Sequence, residues 1–340
     1  MSGGARGFAR LRAGDRVAVV APSGPVDPGR LEAGVGVLRD LGLDVVIGKH
    51  ALDRVDLGGD EPVRDDRQRL AGTDADRAAD LQDAWCDPGV RAVICARGGY
   101  GATRVLDHLD WELMARATAE AAAGGRGPAL LHGSSDITAL HQAFAARFGV
   151  TTAYGPMPAG FLAEAAGDDR EASLASLRAT WFGGGAAGAS GAAESVRGTH
   201  ALRPGTAEGD LTGGTLSLLT ATLGTPYAPA PATGRVVLLE EVSEAPYRID
   251  RMLTQLLQAG WFDGAAGVAL GAWTDCGDPA EADAVVRARL GPLGVPILAG
   301  LPAGHGPRQL TLELGAPVRL DAGAGTLTPL TLQAPAGGAR

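Results

Sequence analysis

Through its first 150 residues the chain alternates short apolar runs with stretches of helical periodicity, and this alternation restricts its fold more than any other feature. Arg16 to Ala21 is an apolar run that ends at Pro22-Ser23-Gly24. Leu31, Val35 and Leu38 then recur at helical spacing up to Gly42, and Leu43 to Ile47 reads as the next strand. A polar helical stretch from Asp74 to about Trp85 leads into Ala92-Val93-Ile94-Cys95-Ala96, which breaks at Arg97-Gly98-Gly99-Tyr100-Gly101. Ala129-Leu130-Leu131 reads as another buried strand, followed by a helix with Ile137, Leu140 and Phe144 on one face and Gly149 at its end. Strands without an alternating polar face are buried on both sides, so the pattern predicts an α/β domain with a doubly wound parallel sheet.

The second half reads differently. Arg235 to Glu240 and Gly267 to Trp273 are strands, Ile249, Leu253, Leu256 and Leu257 form one helical stripe, and Asp283 to Leu290 is a helix. After Pro296 the segments are short and turn-rich, at Leu310 to Leu314, Val318 to Asp321 and Thr326 to Leu332. They predict a smaller C-terminal β-rich, barrel-like domain with a helix or two. Ala121 to Gly127 reads as a surface loop and Gly183 to Gly191 as a flexible linker. A chain of 340 residues exceeds one small core. The expected division is an N-terminal domain over 1–170, a linker region over 171–204 and the C-terminal domain over 205–340.

Composition excludes several functions. With 45% hydrophobic and 20% charged residues the chain is globular rather than disordered. A net charge of -9 with no basic face argues against nucleic acid as a partner. Lys49 is the one lysine among thirty basic residues, which reads as the imprint of a GC-rich genome. Cys86, Cys95 and Cys276 are odd in number and lack paired spacing, so neither a disulfide framework nor a zinc site is expected. Residues 1–15 hold no apolar run of signal-peptide length, and no stretch reaches the roughly 18 apolar residues of a membrane helix. The expectation is a soluble, cytoplasmic protein without membrane contact.

Four segments carry chemistry. Gly133-Ser134-Ser135-Asp136 lies between a buried strand and a helix start. A serine on such a turn presents its hydroxyl at the C-terminal edge of the sheet, and the following N–H points the same way at the positive end of a helix. Ile137 replaces the last glycine of a G-x-S-x-G elbow, and a serine that merely caps the helix is an equal reading of the residues. In Arg97-Gly98-Gly99-Tyr100-Gly101 the glycines allow backbone N–H groups to approach a ligand, or else make an ordinary tight turn; no nucleotide-binding spacing is present. Glu240 ends an apolar strand, where a carboxylate either orients a histidine or reaches solvent. His305 stands between Gly304 and Gly306, while His50, His108, His132, His141 and His200 have the contexts of surface or capping residues. A histidine is the usual base for a serine nucleophile, and Ser, Glu, His is a known triad order.

Seen together, these segments resemble the LD-carboxypeptidases, the serine peptidase family that includes the microcin C immunity proteins. The resemblance is carried by Val19-Val20-Ala21-Pro22-Ser23, Ala96 to Gly101, Gly133 to Thr138, Gly155-Pro156-Met157, Leu223-Gly224-Thr225-Pro226, Leu239 to Val242 with Ala245 to Arg251, and Gly304-His305-Gly306. It implies a triad of Ser135 as nucleophile, His305 as base and Glu240 as the acid that orients it. It further implies an oxyanion hole from the Asp136 N–H and one from Gly98 or Gly99, a cleft between the two domains, a homodimer, and no metal or cofactor. The implied substrate is a muropeptide tetrapeptide that loses its terminal D-alanine. Arg97 is a candidate for the substrate carboxylate, or else a structural salt bridge. The sequence departs from the family pattern at Thr215 in Gly213-Gly214-Thr215-Leu216, at Ser134 and at Glu313, none of which is expected to touch the triad. Three other functions compete. A microcin-type amidase acting on peptide–nucleotide or acyl-sulfamoyl adenylate toxins would use an aromatic such as Trp273 to stack adenine. A two-lobed binding protein conflicts with an intact triad, and a general α/β-hydrolase esterase conflicts with a triad split across two domains.

Overall fold

The computed structural model describes residues 7–58, 69–183 and 195–330. In chain order the first half contains β1 Arg16–Val20, α1 Pro28–Asp40, β2 Asp44–Ile47, β3 Val55–Asp56, β4 Arg69–Leu70, α2 Asp74–Cys86, β5 Val90–Cys95, α3 Ala102–Val105, α4 Trp111–Ala123, β6 Leu130–Gly133, α5 Thr138–Phe148, β7 Thr152–Tyr154 and α6 Gly167–Phe182. The second half contains β8 Val196–Arg197, β9 His200–Arg203, β10 Thr206–Thr215, α7 Leu216–Ala221, β11 Val236–Val242, α8 Pro246–Gln258, β12 Gly267–Thr274, α9 Pro279–Leu290, β13 Ile297–Ala299, β14 Leu312–Leu314, β15 Pro317–Asp321 and β16 Thr326–Pro329. None of the described helices is long and apolar enough to cross a membrane.

The first sheet runs β14-β7-β6-β5-β1-β2. The five strands from β7 to β2 are parallel. Along β1, Val17 and Val19 enter one core while Ala18 and Val20 enter the other. The period of two thus delivers apolar side chains to both faces, as the unbroken apolar runs require. Helix α1 starts where Asp27 accepts from the Arg30 N–H ahead of Pro28, and it buries Leu31, Val35 and Leu38.

Two expectations about the boundary need correction. Part of the expected linker 171–204 is α6, whose Ser173, Leu177 and Trp181 recur every four residues and are buried. Leu177 and Trp181 belong to the core beneath the first sheet, and β8 and β9 belong to the second sheet. The glycine-rich run 184–191 lies outside the described residues. The two sheets also do not divide the chain at one cut: β14 returns to the first sheet and pairs antiparallel with β7, Leu312 opposite Tyr154. The expected loop 121–127 is entered by the last turn of α4, where Ala121 is buried.

The second sheet runs β8-β16-β15-β10-β11-β12-β13-β9. Its centre, from β10 to β13, is parallel, and its flanks are antiparallel. The two edge strands, β8 and β9, are separated only by Gly198 and Thr199. Three Cα steps span at most about 11 Å, so the edges must meet. Gly198 N–H bonds Gly325 O at 3.1 Å on one side, and Thr199 N–H bonds Ala299 O at 2.8 Å on the other. The sheet is therefore rolled into the barrel-like form the short strands implied. Helices α7, α8 and α9 cover one face through Leu219, Leu253 and Val286. The opposite face joins Leu238, Ala269 and Leu298 to Tyr154, Leu312 and Leu314 of the first sheet, so one apolar cluster locks the two units together.

A Cβ on Gly198 would stand 2.6 Å from Ala299 O and 2.8 Å from the Leu298 side chain, and the backbone oxygen cannot give way. Gly198→Ala is expected to cost roughly 1–3 kcal/mol, read as a lower denaturation midpoint. An unchanged midpoint would refute this account of the seam.

Candidate active site

Ser135 sits two residues beyond the end of β6, in the turn Ser135–Ile137 that leads into α5. Its φ of 61° is in the left-handed region, a conformation that costs a non-glycine residue energy and persists only where its surroundings enforce it. Three contacts do so. The Ser135 N–H donates to Tyr154 Oη at 3.2 Å. The buried Asp136 carboxylate accepts from Ser23 Oγ at 2.7 Å and from the Ala102 N–H at 2.7 Å. A Cβ on Gly98 would lie 2.8 Å from Ser135 Cβ, so only glycine lets the 97–101 turn lie against this serine. Ser134 makes no capping bond through its side chain, and the Ser135 hydroxyl meets His305 instead.

Glu240 is fully buried on β11. Oε1 accepts from Tyr154 Oη at 2.6 Å and from the Thr215 hydroxyl. Oε2 accepts from His305 Nδ1–H at 2.7 Å and from the His305 backbone N–H at 3.3 Å. Burial alone would push this carboxyl up, but the hydrogen bond and charge of His305, with the Thr215 and Tyr154 hydroxyls, hold it below its ordinary range. Thr215, expected not to touch Ser135, Glu240 or His305, therefore bonds Glu240 directly.

Local geometry makes room for this group. Leu239 and Glu241 pair with Leu270 and Trp273, so β12 carries one extra residue opposite Glu240. Such a bulge re-aims side chains. Gly271 lies where a Cβ would come within 2.5 Å of Ala303 O, and Gly304, at φ +90°, where a Cβ would collide with the Glu240 carboxylate. His305 thereby reaches Ser135 Oγ with Nε2 at 3.0 Å. Burial lowers the affinity of His305 for its proton, but the Glu240 hydrogen bond and charge outweigh this and raise it above the ordinary value.

The other histidines divide. His132 and His141 are buried rather than superficial. Burial lowers each to about 4, which keeps both neutral. His132 bonds Pro156 O through Nε2 at 2.8 Å, and His141 bonds Gly133 O through Nε2 at 3.0 Å, so both brace the elbow. Glu241, one residue beyond the acid, faces the other side and accepts the Ser217 N–H at the start of α7 at 2.7 Å. Its burial pushes it up to about 6. Trp273 packs against the helix-covered core of the second sheet, not in the cleft.

His305, Thr274, Arg30, Glu164 and Asp169 line a cleft of about 510 Å³. Arg97 Nη1 donates to Pro25 O at 3.0 Å. Among the described residues, the one group with metal-ligand proportions is His50, Asp53 and Asp76, which shares no residue with this site. Sequence reasoning missed Tyr154, Thr215 and the Asp136 side chain as parts of the site. Tyr154 carries a positional signal, because it precedes Gly155-Pro156-Met157; Thr215 carries none, because only strand pairing sets it opposite Glu240.

Comparison with known proteins places the chain in one family. Family models described as the LD-carboxypeptidase N-terminal and C-terminal domains match residues 17–155 and 208–320. A relative from Streptomyces coelicolor is 49% identical over 94% of each chain. The murein tetrapeptide carboxypeptidase of Pseudomonas aeruginosa is 32% identical, over 90% of this chain and 93% of that protein. A solved muramoyltetrapeptide carboxypeptidase from Oxalobacter formigenes superposes with a TM-score of 0.72 at 27% identity, covering 92% and 97% of the two chains. An MccF-like protein from Bacillus anthracis reaches 0.78 at 23% identity, over 96% and 100%, a likeness of fold.

In an NMR titration the His305 ring is expected to protonate above about 6.5, the ordinary imidazole value, and Glu240→Gln to lower that midpoint because a negative partner is lost. His132 and His141 should stay silent between pH 5 and 8. A His305 midpoint unmoved in Glu240→Gln would contradict the assigned coupling.

Proposed function

The chain belongs to the LD-carboxypeptidase family of serine hydrolases, and from that membership we propose that it hydrolyses the L,D peptide bond of muropeptide tetrapeptides and releases terminal D-alanine. The observation that carries the reading is the hydrogen-bonded line from Ser135 Oγ through His305 to Glu240, 3.0 and 2.7 Å long in its two steps. In this reading the first unit supplies the nucleophile and the second supplies the acid and base. The resemblance extends it to a cytoplasmic homodimer that recycles cell-wall peptides.

The steps follow from the donors and acceptors. His305 Nε2 takes the Ser135 hydroxyl proton as Oγ bonds to the scissile carbonyl carbon. The oxyanion is held by the Asp136 N–H and an N–H of the Gly98-Gly99 turn, each worth roughly 3–4 kcal/mol. Glu240 stabilises the imidazolium and keeps Nε2 aimed at the serine. His305 then returns the proton to the D-alanine nitrogen as the C–N bond breaks. Water, deprotonated by His305, attacks the acyl ester and frees Ser135. These steps require neither a metal nor a cofactor.

A second reading, the amidase of peptide–nucleotide or sulfamoyl adenylate toxins, draws on the likeness of fold to the MccF-like protein. It is the weaker one, because Trp273, the aromatic it would stack on, packs against the core. A panel of tetrapeptides and acyl-sulfamoyl nucleosides, with products read by mass spectrometry, separates the two.

Ser135→Ala should reduce D-alanine release by roughly 10⁴- to 10⁶-fold, whereas Ser134→Ala should remain active; full turnover in Ser135→Ala would sink the assignment. The base must be neutral to accept the serine proton, and Glu240 raises His305. The kcat/KM profile should therefore fall on its acid side with a midpoint above about 6.5. A profile flat from pH 5 to 8 would count against His305 as the base.

A further inference from the structure

Arg77, on α2, is 1% exposed and takes no part in the hydrogen-bonded line from Ser135 to Glu240. Its guanidinium nevertheless reaches both turns that flank Ser135. Nη1 donates to Pro22 O, in the turn after β1, and to Gly101 O at 2.9 Å, in the turn after β5. Nη2 donates to Asp74 Oδ1, and Asp74 also accepts Arg104 Nη2 from α3 at 2.7 Å. Gly101 O accepts a second bond, from the Arg104 N–H at 3.1 Å. Pro22 and Gly101 are both buried. Buried carbonyls need donors, and Pro22 lies beyond the end of β1, where the strand ladder no longer supplies one.

The two turns are joined to each other and to the elbow. The Gly24 N–H donates to Gly98 O at 3.3 Å. Ser23 Oγ and the Ala102 N–H both donate to Asp136 Oδ2 at 2.7 Å. No peptide bond among the described residues is cis, and in a trans peptide the N–H points opposite to the C=O. The place of residue 24, which holds Gly98 O, therefore decides where the Gly99 N–H points. Arg77 fixes residue 22 of the first turn and residue 101 of the second. A Cβ on Gly101 would stand 2.8 Å from Nη1, so the guanidinium lies directly against the turn. Its Nε–H meets no acceptor among the described residues. A buried guanidinium with an idle donor is a poor source of stability, so stability alone does not account for it.

We infer that Arg77 is a positioning residue: by clamping Pro22 O and Gly101 O it holds the Gly98-Gly99 turn where an N–H of that turn meets the oxyanion. The inference rests on the carboxypeptidase reading above and adds to it a residue that touches neither the substrate nor Ser135. A misplacement of about 1 Å costs about 10²-fold in rate, as much as the loss of an oxyanion donor. A guanidinium directs its donors in one rigid plane, whereas an ammonium is a point charge that cannot hold two carbonyls and a carboxylate in that plane.

The test measures D-alanine release from an L,D-tetrapeptide together with the affinities of two ligands. One is the product tripeptide; the other is that tripeptide with its terminal carboxyl replaced by an aldehyde. Ser135 Oγ adds to the aldehyde carbon, its proton passes to His305 and the carbonyl oxygen becomes an oxyanion. The aldehyde thus reports the oxyanion hole, while the tripeptide reports ground-state binding. Arg77→Lys should lose about 10- to 100-fold in kcat, equally in kcat/KM and equally in aldehyde affinity, with tripeptide affinity unchanged. Asp74→Asn, which removes the carboxylate partner of Nη2, should show a smaller loss of the same kind. Leu81→Ala, which removes a buried side chain from the same helix, should lower the thermal midpoint and keep kcat and aldehyde affinity. Folded Arg77→Lys and Asp74→Asn variants that both keep wild-type kcat and aldehyde affinity overturn the inference and leave the carboxypeptidase reading standing. An equal loss in Leu81→Ala does the same. If Arg77→Lys does not fold, Asp74→Asn decides alone. If wild type is inert on the tetrapeptide, that reading falls and takes the inference with it.

Discussion

A carboxylate with no access to water is the constraint around which this molecule is arranged. Removing an ion such as Glu240 from water costs several kcal/mol unless its lone pairs are met by donors. Glu240 meets four: the Tyr154 and Thr215 hydroxyls and the two N–H groups of His305. Tyr154 belongs to the first sheet, Thr215 to the second, and His305 to the loop after β13. Satisfying one charge thus fixes the relative placement of three distant segments. The same Tyr154 oxygen accepts the Ser135 N–H, so the acid and the strained elbow share a partner and cannot drift apart independently.

The surroundings follow from that demand. The bulge in β12 opens space opposite Glu240, and glycines at 271 and 304 let the histidine loop come down onto the carboxylate. On the other side, Asp136 ties the elbow to Ser23 and to the start of α3. His132 and His141, neutral because they are buried, spend their ring nitrogens on hydrogen bonds within the first unit. Charge is thus kept where the proposed reaction uses it and suppressed where it would only cost solvation.

Much of this was legible in residue order. The apolar runs of the first half announced a sheet buried on both faces, and β1 divides its side chains between the two cores accordingly. Ser135, Glu240 and His305 could be named because each lies in a short motif at a strand end or between glycines. Helix α6 is hard to see in the sequence because only Ser173, Leu177 and Trp181 mark its buried face and a glycine-rich run follows it. The role of Thr215 is invisible in the sequence because residue order does not disclose a neighbouring strand: only the parallel pairing of β10 with β11, Thr215 opposite Glu240, brings the two together.

The sequence by itself determined the alternation of elements, the family resemblance and the identity of the three residues in the hydrogen-bonded line, since these depend on local patterning and on short motifs. Tertiary structure alone decided that β14 returns to complete the first sheet, that Gly198 seams the second, and that Tyr154 connects the elbow to the acid. It also decided that Glu241 turns away to accept the Ser217 N–H, and that Arg30, Arg54 and Arg97 share one pocket. The physical reason is common to all of these. They are contacts between residues far apart in the chain, set by strand register and by where a buried charge can find its donors, and no periodicity within a single segment encodes them.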